Sequence, residues 1–313
     1  MILQILAASL FSLSGGTDHD FARALYKEIG APIIAVYDPA RTVKKVNLAY
    51  PDRARFLSRA KNVFDLRPLD GGFSWGLRLP KSVFLRQNRP TYMVQVERSA
   101  RPVKLVVNDA GVAKKELSAK PTTVTYDEIL RVNPEVGEHW YFKDVAFVYE
   151  GGSVTPRQLL KAALACVGGK LVQNAKGSSV QIDPPSIRKL LVATCRAEAK
   201  ISGGSILGTY DFEYLGELIS ALSDKELLSL FESPEAEVQV LFPVGTPVFA
   251  AALKRVRARA GYYSKKPTAA ELNIRTMLAE GYDLSRGLGA TIGPDFDPSI
   301  IVYAKDGPGR LVF

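Results

Sequence analysis

The sequence predicts an α+β protein that is built from small β-α-β-β modules with mixed sheets, followed by a mostly helical C-terminal region. Two observations carry this prediction. Segments in which apolar and polar residues alternate lie next to segments with apolar residues at helical spacing. Glycine, proline and capping residues also stand where these segments begin and end. The composition, 47% hydrophobic and 23% charged, is that of globular domains.

Residues 144–183 form the most consistent module. Residues 144–149 alternate as in a half-buried strand, and the two glycines that follow end that strand. Thr155 and Gln158 then form a capping box at the start of a helix. The glycine pair at 168–169 ends the helix, and two short strands around a turn complete the unit. The apolar stripe of the helix consists of Leu159, Leu160, Ala163, Leu164 and Val167.

The N-terminal part of the chain has a similar order of elements. Thr17 is suited to cap a first helix, and Gly30 is suited to end it. Asp70, Gly71 and Gly72 favour a hairpin turn. The predicted elements are a helix at 18–29, strands at 31–37 and 43–49, a helix at 51–63 and a hairpin over 64–79. Because residues 43–79 follow the same order as residues 144–183, an internal duplication is predicted.

Residues 21–36 read FARALYKEIGAPIIAV, and a strand, a helix and a hairpin follow them. This arrangement resembles the secretin and TonB short N-terminal (STN-like) domain. Residues 144–183 resemble the latter half of that domain, with a strand, a helix that ends in glycine and a final hairpin. The resemblance implies a periplasmic module that binds other proteins in envelope machines and has no active site.

The remainder of the chain contains a connector and the C-terminal region. Residues 81–143 are strand-rich, with strands at 92–96 and 103–107 and a short helix that Thr125 caps. Helical segments dominate after residue 186, with a strand at 238–244 and a closing hairpin. The predicted domains are a signal peptide at 1–14, an STN-like module at 15–80, a connector at 81–143, a second module at 144–185 and the C-terminal region at 186–313.

The N-terminal apolar run determines the predicted compartment. Residues 2–13 have the length of a signal-peptide core, and small residues favour cleavage after Ser14. This predicts a periplasmic or secreted protein. The alternative, that residues 2–13 form a first strand or a buried helix of a cytoplasmic protein, stays open. No other run is long and apolar enough to cross a bilayer.

The cysteines and histidines are few. Cys166 and Cys195 lie on the apolar sides of predicted helices, and such thiols usually pack in the core. A disulfide between them is open if the compartment is oxidising. His19 and His139 do not stand at ligand spacing, so no structural zinc site, other metal or cofactor is expected.

The net charge of +9 favours anionic partners but singles out none, and it also serves solubility. The densest basic segment combines cations with tyrosines, which suits contact with a phosphate backbone and stacking on bases. A solvated helix face has the same composition. This candidate nucleic-acid site consists of Lys254, Arg255, Arg257, Arg259, Tyr262, Tyr263, Lys265 and Lys266.

Three short motifs point to chemistry. Ser74 lies in a G-x-S-x-G pattern, and Asp127 and His139 follow it in the order of a hydrolase triad. The residues after Ser74 alternate like a strand, however, whereas the motif requires a helix there. Ser186 begins an S-x-x-K pattern without its usual companion motifs. Residues 295–297 carry two aspartates, which is short of a calcium site and favours a turn.

The sequence therefore predicts a non-catalytic envelope protein that acts as a protein-protein interaction or scaffold module. The partner is an unidentified envelope protein that binds exposed strand edges or helix faces. A nucleic-acid-binding protein is the first alternative, and a serine hydrolase that uses Ser74 is the second. The oligomeric state stays open.

Overall fold

The computed structural model describes most of the chain. The described residues are 9–38, 41–76, 79, 105–107, 113–115, 122–143, 145–152, 154–175, 177–201, 211–306 and 310–313. They form an α+β fold, as predicted, and divide into two compact units between Ser186 and Ile187. Several predicted features lie outside them: residues 2–8 of the N-terminal run, the strand at 92–96 and most of the connector, and the tip of the last hairpin at 307–309.

The first unit contains helices and strands on both sides of the connector. Its helices are α1 (Asp18–Ile29), α2 (Arg53–Phe64), α3 (Tyr126–Arg131) and α4 (Pro156–Cys166). Its strands are β1 (Ser9–Leu13), β2 (Ile33–Val36), β3 (Val46–Tyr50), β4 (Arg67–Leu69), β5 (Gly72–Ser74), β6 (Leu105–Val107), β7 (Ala113–Lys115), β8 (Thr122–Thr125), β9 (Val136–Gly137), β10 (Ala146–Glu150), β11 (Gly169–Asn174) and β12 (Gly177–Ile182).

From residue 184 onward the chain is mostly helical and includes one sheet. The helices are α5 (Pro184–Ile201), α6 (Phe212–Ala221), α7 (Asp224–Ser229), α8 (Pro247–Arg259) and α9 (Ala269–Gly281). The strands are β13 (Val238–Phe242), β14 (Leu288–Ile292), β15 (Ser299–Tyr303) and β16 (Arg310–Val312). None of the helices in the described residues is long and apolar enough to cross a bilayer.

The predicted helix caps are confirmed. Thr17 accepts the backbone N–H of Asp20 at the start of α1, and Gly30 ends that helix in the left-handed region with φ 68°. Thr155 and Gln158 form the predicted capping box of α4. Thr17 and Thr155 satisfy amides that the first helical turn leaves without a partner, and the N–H of Gly30 donates to the carbonyl of Tyr26. The local sequence therefore determines where these helices begin.

The two predicted modules contribute strands to one mixed sheet. Its order is β4-β5-β2-β10-β8, and β2 pairs with β10 in antiparallel register, with Phe147 opposite Val36. Only the contact between β2 and β5 is parallel in this sheet. The final hairpin of the second module, β11 and β12, belongs to another sheet together with β9. Strands that are about a hundred residues apart in the chain thus hold the first unit together.

An aromatic core lies under the first strands. β1 pairs with β3, and Phe11 on β1 is 3% exposed. Its ring lies 5.5 Å from the ring of Phe56 and 5.7 Å from that of Phe64, measured between centroids. Residues 9–13, which the sequence places within a signal peptide, therefore supply a paired strand and a core side chain to the first unit.

The second unit contains an antiparallel sheet in the order β13-β14-β15-β16. One of its strands, β14, has no counterpart among the predicted elements. Four of its five residues are buried, and one of these is Gly289, which has no side chain. A strand that is buried on both faces lacks the alternation that marks half-buried strands, so periodicity does not reveal it.

Candidate functional site

Ser74, the candidate nucleophile, lies inside the first unit. It ends β5 and is fully buried, and its hydroxyl lies 3.2 Å from the Cys166 sulfur. His139 caps a short 3-10 helix instead, where its Nδ1 accepts the backbone N–H of Tyr141. A nucleophile elbow needs an exposed hydroxyl above a strand-to-helix turn. The described residues around Ser74 do not have this geometry.

We expect Ser74→Ala to leave any esterase activity of the preparation unchanged. The variant should lose about 1 kcal/mol of unfolding free energy, because one buried hydrogen bond to Cys166 disappears. Hydrolysis of a chromogenic acetate ester and chemical denaturation check both expectations. If the wild-type protein hydrolyses the ester and the variant does not, at unchanged stability, the hydrolase alternative is correct.

Both cysteines are free and buried. Burial raises the pKa of the Cys166 thiol, and it also raises the pKa of the Cys195 thiol. A thiol whose pKa is raised in this way is protonated near neutral pH and reacts slowly, because the thiolate is the nucleophile. The two cysteines therefore serve as core residues, as the sequence predicts.

Two small recesses lie among the described residues of the first unit. One is lined by Val36, Arg41, Arg67, Ser74, Trp75, Gly76 and Cys166. The other is lined mainly by residues of α4 and of the turn between β4 and β5, with Pro32 and Ile34 beside them. The second has a cavity of about 20 Å³ and the first has no room for a water molecule, whereas pockets for small ligands typically have roughly 300–1,000 Å³. Neither recess suggests a substrate site.

A buried carboxylate lies at the start of α1. Asp18 is 1% exposed, and its Oδ2 accepts the backbone N–H of Asp38 at 3.0 Å. Arg41 reaches its other oxygen at 3.6 Å. Burial raises the pKa of Asp18 to about 6, although Arg41 and the amide of Asp38 oppose this rise. Because burial disfavours the ionised carboxylate, we expect the free energy of unfolding to depend on whether Asp18 is protonated.

The other short motifs form local structure. Ser186 donates its hydroxyl hydrogen to Asp183 at 2.5 Å, and this bond lowers the pKa of Asp183. Asp295 accepts the backbone N–H of Asp297 at 3.3 Å, as in the predicted turn. Within the described ranges, no cluster of three or more His, Cys, Asp or Glu side chains could hold a metal ion.

The structure separates the residues of the candidate nucleic-acid site into two groups. Lys254 forms an ion pair with Glu213 at 2.9 Å, and Arg255 is 5% exposed. Lys254 is thus exposed but paired, whereas Arg255 is buried. The other six are also exposed: Arg257 and Arg259 at the end of α8, and Tyr262, Tyr263, Lys265 and Lys266 in the following loop. We call these six residues the basic loop.

A seventh residue, Arg275 on α9, belongs beside the basic loop. Its guanidinium lies 4.4 Å from the centre of the Tyr262 ring and donates to the backbone carbonyls of Ala260 and Gly261. The sequence prediction missed it because it lies on the next helix. Two sequence signals place Arg275 on α9: the capping box formed by Thr268 and Glu271, and the i,i+4 spacing of Arg275 from Glu271.

The most exposed apolar strand position of the second unit lies on β13, at one edge of its sheet. Leu241 is 64% exposed and lies opposite Gly289 of β14. A Cβ atom at position 289 would lie 2.6 Å from the Tyr303 hydroxyl, so glycine fits there without displacing Tyr303, and it offers Leu241 no cross-strand side chain. Gln239, two residues earlier on the same face, is also exposed. We call the outer side of β13 the open edge.

No protein-family model, no curated protein and no solved structure matches this chain.

Proposed function

We propose that this chain is a non-catalytic protein of the cell envelope that binds an extended segment of a partner protein along the open edge of β13. One observation carries the proposal: β13 is an edge strand of five residues without a charge or a proline. Unpaired N–H and C=O groups on such an edge are a template for an added strand.

Two other sheet edges carry protections that β13 lacks. β4 contains Pro68, which cannot donate to a ladder, and begins with Arg67. β16 has only three residues and begins with Arg310. Short length, charge and proline are the usual protections against edge pairing. The edge strands β1, β3 and β8 also lack charge and proline, but among the described strands β13 carries the most exposed large apolar side chain, Leu241 at 64%.

The side chains of β13 define the partner segment. Val238 and Phe242 point to the buried face, whereas Gln239 and Leu241 point to the opposite face, since successive residues of a strand alternate. A strand added beside β13 would place every second side chain on the face that carries Gln239 and Leu241. We therefore expect a neutral segment with apolar residues at alternate positions.

Two further features support this proposal. Ser74, the candidate nucleophile, is buried in the first unit, so its side chain contributes to packing. The envelope location rests on the apolar run at residues 2–13 and on the resemblance to STN-like domains, which bind other envelope proteins. A cytoplasmic location remains the alternative.

A displayed peptide library tests the proposal. Segments of about ten residues, twice the usual length of a strand, would tile the envelope proteins of a Gram-negative host. We expect enriched peptides to alternate apolar and polar residues. Gln239→Lys combined with Leu241→Lys should weaken their binding roughly tenfold to a hundredfold, because the contact with Leu241 is lost and charge blocks the edge.

The control is Val312→Lys, which places a lysine at an exposed apolar position on the opposite edge, β16. It should leave peptide binding unchanged. Equal binding of the wild-type protein and the double variant would contradict the proposal. Self-association of the wild-type protein that disappears in the double variant, measured by analytical ultracentrifugation, would show that a second copy occupies the edge, which also contradicts it.

A further inference from the structure

We infer that the basic loop binds single-stranded nucleic acid, in addition to any protein partner of β13. The loop presents four exposed cations, Arg257, Arg259, Lys265 and Lys266, beside two exposed tyrosines. Within the described part of the chain, no ion pair engages these four cations. Their charge is therefore available to phosphate groups.

Two nearby cations, Lys254 and Arg255, do not belong to the basic loop. Lys254 lies on the helix that leads into the loop, but it already pairs with Glu213, and this bond raises its pKa. Arg255 lies on the buried side of α8 with Ala252 and Val256. The sequence alone predicts both residues in the candidate nucleic-acid site, but the ion pair of Lys254 and the burial of Arg255 exclude them.

The loop is ordered before any ligand binds. Gly261 takes the left-handed conformation with φ 69°, and the N–H of Tyr262 donates to the carbonyl of Arg257, which closes the end of α8. The N–H of Ser264 donates to the carbonyl of Gly261 at 3.1 Å. Arg275 anchors the same turn through its two carbonyl bonds. Binding therefore orders few residues, which lowers its entropic cost.

The tyrosines have different surroundings. Arg275 lies over the ring of Tyr262 and occupies one of its faces. Tyr263 is 60% exposed, and no described aromatic ring or guanidinium stacks on it. An exposed ring beside phosphate-binding cations is suited to stack an unpaired base. Tyr263 is thus the expected stacking residue, and Tyr262 is held by the protein itself.

Helix-end electrostatics alone do not account for this surface. Cations near a helix C-terminus stabilise the helix, which explains Arg257 and Arg259. Lys265 and Lys266 follow the helix end by six residues or more, beyond the reach of that effect, and the exposed tyrosines have no such role. An anionic membrane is a poorer fit, because residues 261–266 contain no aliphatic side chain that could enter a bilayer.

The test is the anisotropy of a fluorescent oligothymidylate of about ten nucleotides, within the usual site size for single strands. Contacts with about four phosphates predict that the affinity falls roughly fiftyfold between about 50 and 200 mM salt. Changing Arg257, Arg259, Lys265 and Lys266 together to Gln should remove most of this salt dependence. Tyr263→Leu should weaken binding about tenfold, whereas Tyr263→Phe should not.

The control removes four other exposed cations of the second unit: Lys189, Arg196, Lys200 and Lys225, all to Gln. It changes the net charge equally and should keep most of the affinity. An equal loss in the control, or unchanged binding by Tyr263→Leu, overturns the inference. Tight binding to phosphatidylglycerol vesicles without binding to the oligonucleotide also overturns it. Because none of these substitutions lies on β13, we expect peptide binding at the open edge to stay unchanged in all of these variants, so the two proposals are tested independently.

Discussion

Phe11→Ala should lower the unfolding free energy by about 3–5 kcal/mol, the usual cost of deleting a buried phenyl group. The Phe11 ring packs against Phe21, Phe56 and Phe64. Alanine would leave a cavity among rings that other side chains hold in place. Since domains are stable by only about 5–15 kcal/mol, this change is a large fraction of the total. Urea denaturation measures it.

Leu10→Ala is the matched control, because Leu10 is the neighbouring residue of the same strand and is 59% exposed. It should cost less than about 0.5 kcal/mol. Equal costs for both variants would contradict the packing of β1. Cleavage after Ser14 would remove all of β1, so we expect a chain that starts at Gly15 to be destabilised at least as much. The N-terminal residue of the protein from fractionated cells decides whether that cleavage occurs.

Asp18→Asn should stabilise the protein at pH 7 by up to about 3 kcal/mol. The folded pKa of about 6 exceeds the unfolded value of 3.8, and a tenfold change in proton affinity corresponds to about 1.4 kcal/mol. Burial favours the protonated carboxyl, which asparagine imitates without a charge. Arg41 is partly exposed, so water can solvate it once its partner is neutral.

The sign follows from linkage. Because the folded pKa is raised, the contribution of Asp18 is fully present below pH 3.8 and is lost as the pH rises through about 6. The gap between variant and wild type should therefore widen from pH 4 to pH 7 in urea titrations. Asp20→Asn is the control. Hydrogen bonds from Thr17 lower the pKa of Asp20, so this substitution should lower the free energy of unfolding at pH 7 instead of raising it. Parallel pH profiles of Asp18→Asn and wild type would contradict the burial of Asp18.

The helix ends were predictable because their chemistry is local. Thr17 and Thr155 bond to amides three residues away, and Gly30 takes a backbone conformation that its own lack of a side chain permits. The same holds for the capping boxes of α7 and α9. All the residues that form such a cap lie within one turn of the helix, so the sequence shows them together.

The features on which the proposals depend were not predictable in this way. The position of β13 at an edge depends on β14, a strand that follows about fifty residues later and carries no alternation. The burial of Asp18 depends on the loop at residue 38, which folds back over the helix start. Arg255 had a local signal, however: it lies three residues after Ala252 on the apolar stripe of α8.

Amide hydrogen exchange on the wild-type protein, with and without its tightest-binding library peptide, tests the central claim most directly. Strand addition gives new partners to backbone groups of β13. We predict slower exchange at residues 238–242 when the peptide is bound, with unchanged exchange in β16 and in the basic loop. Protection elsewhere, while residues 238–242 exchange as in the free protein, would contradict the account.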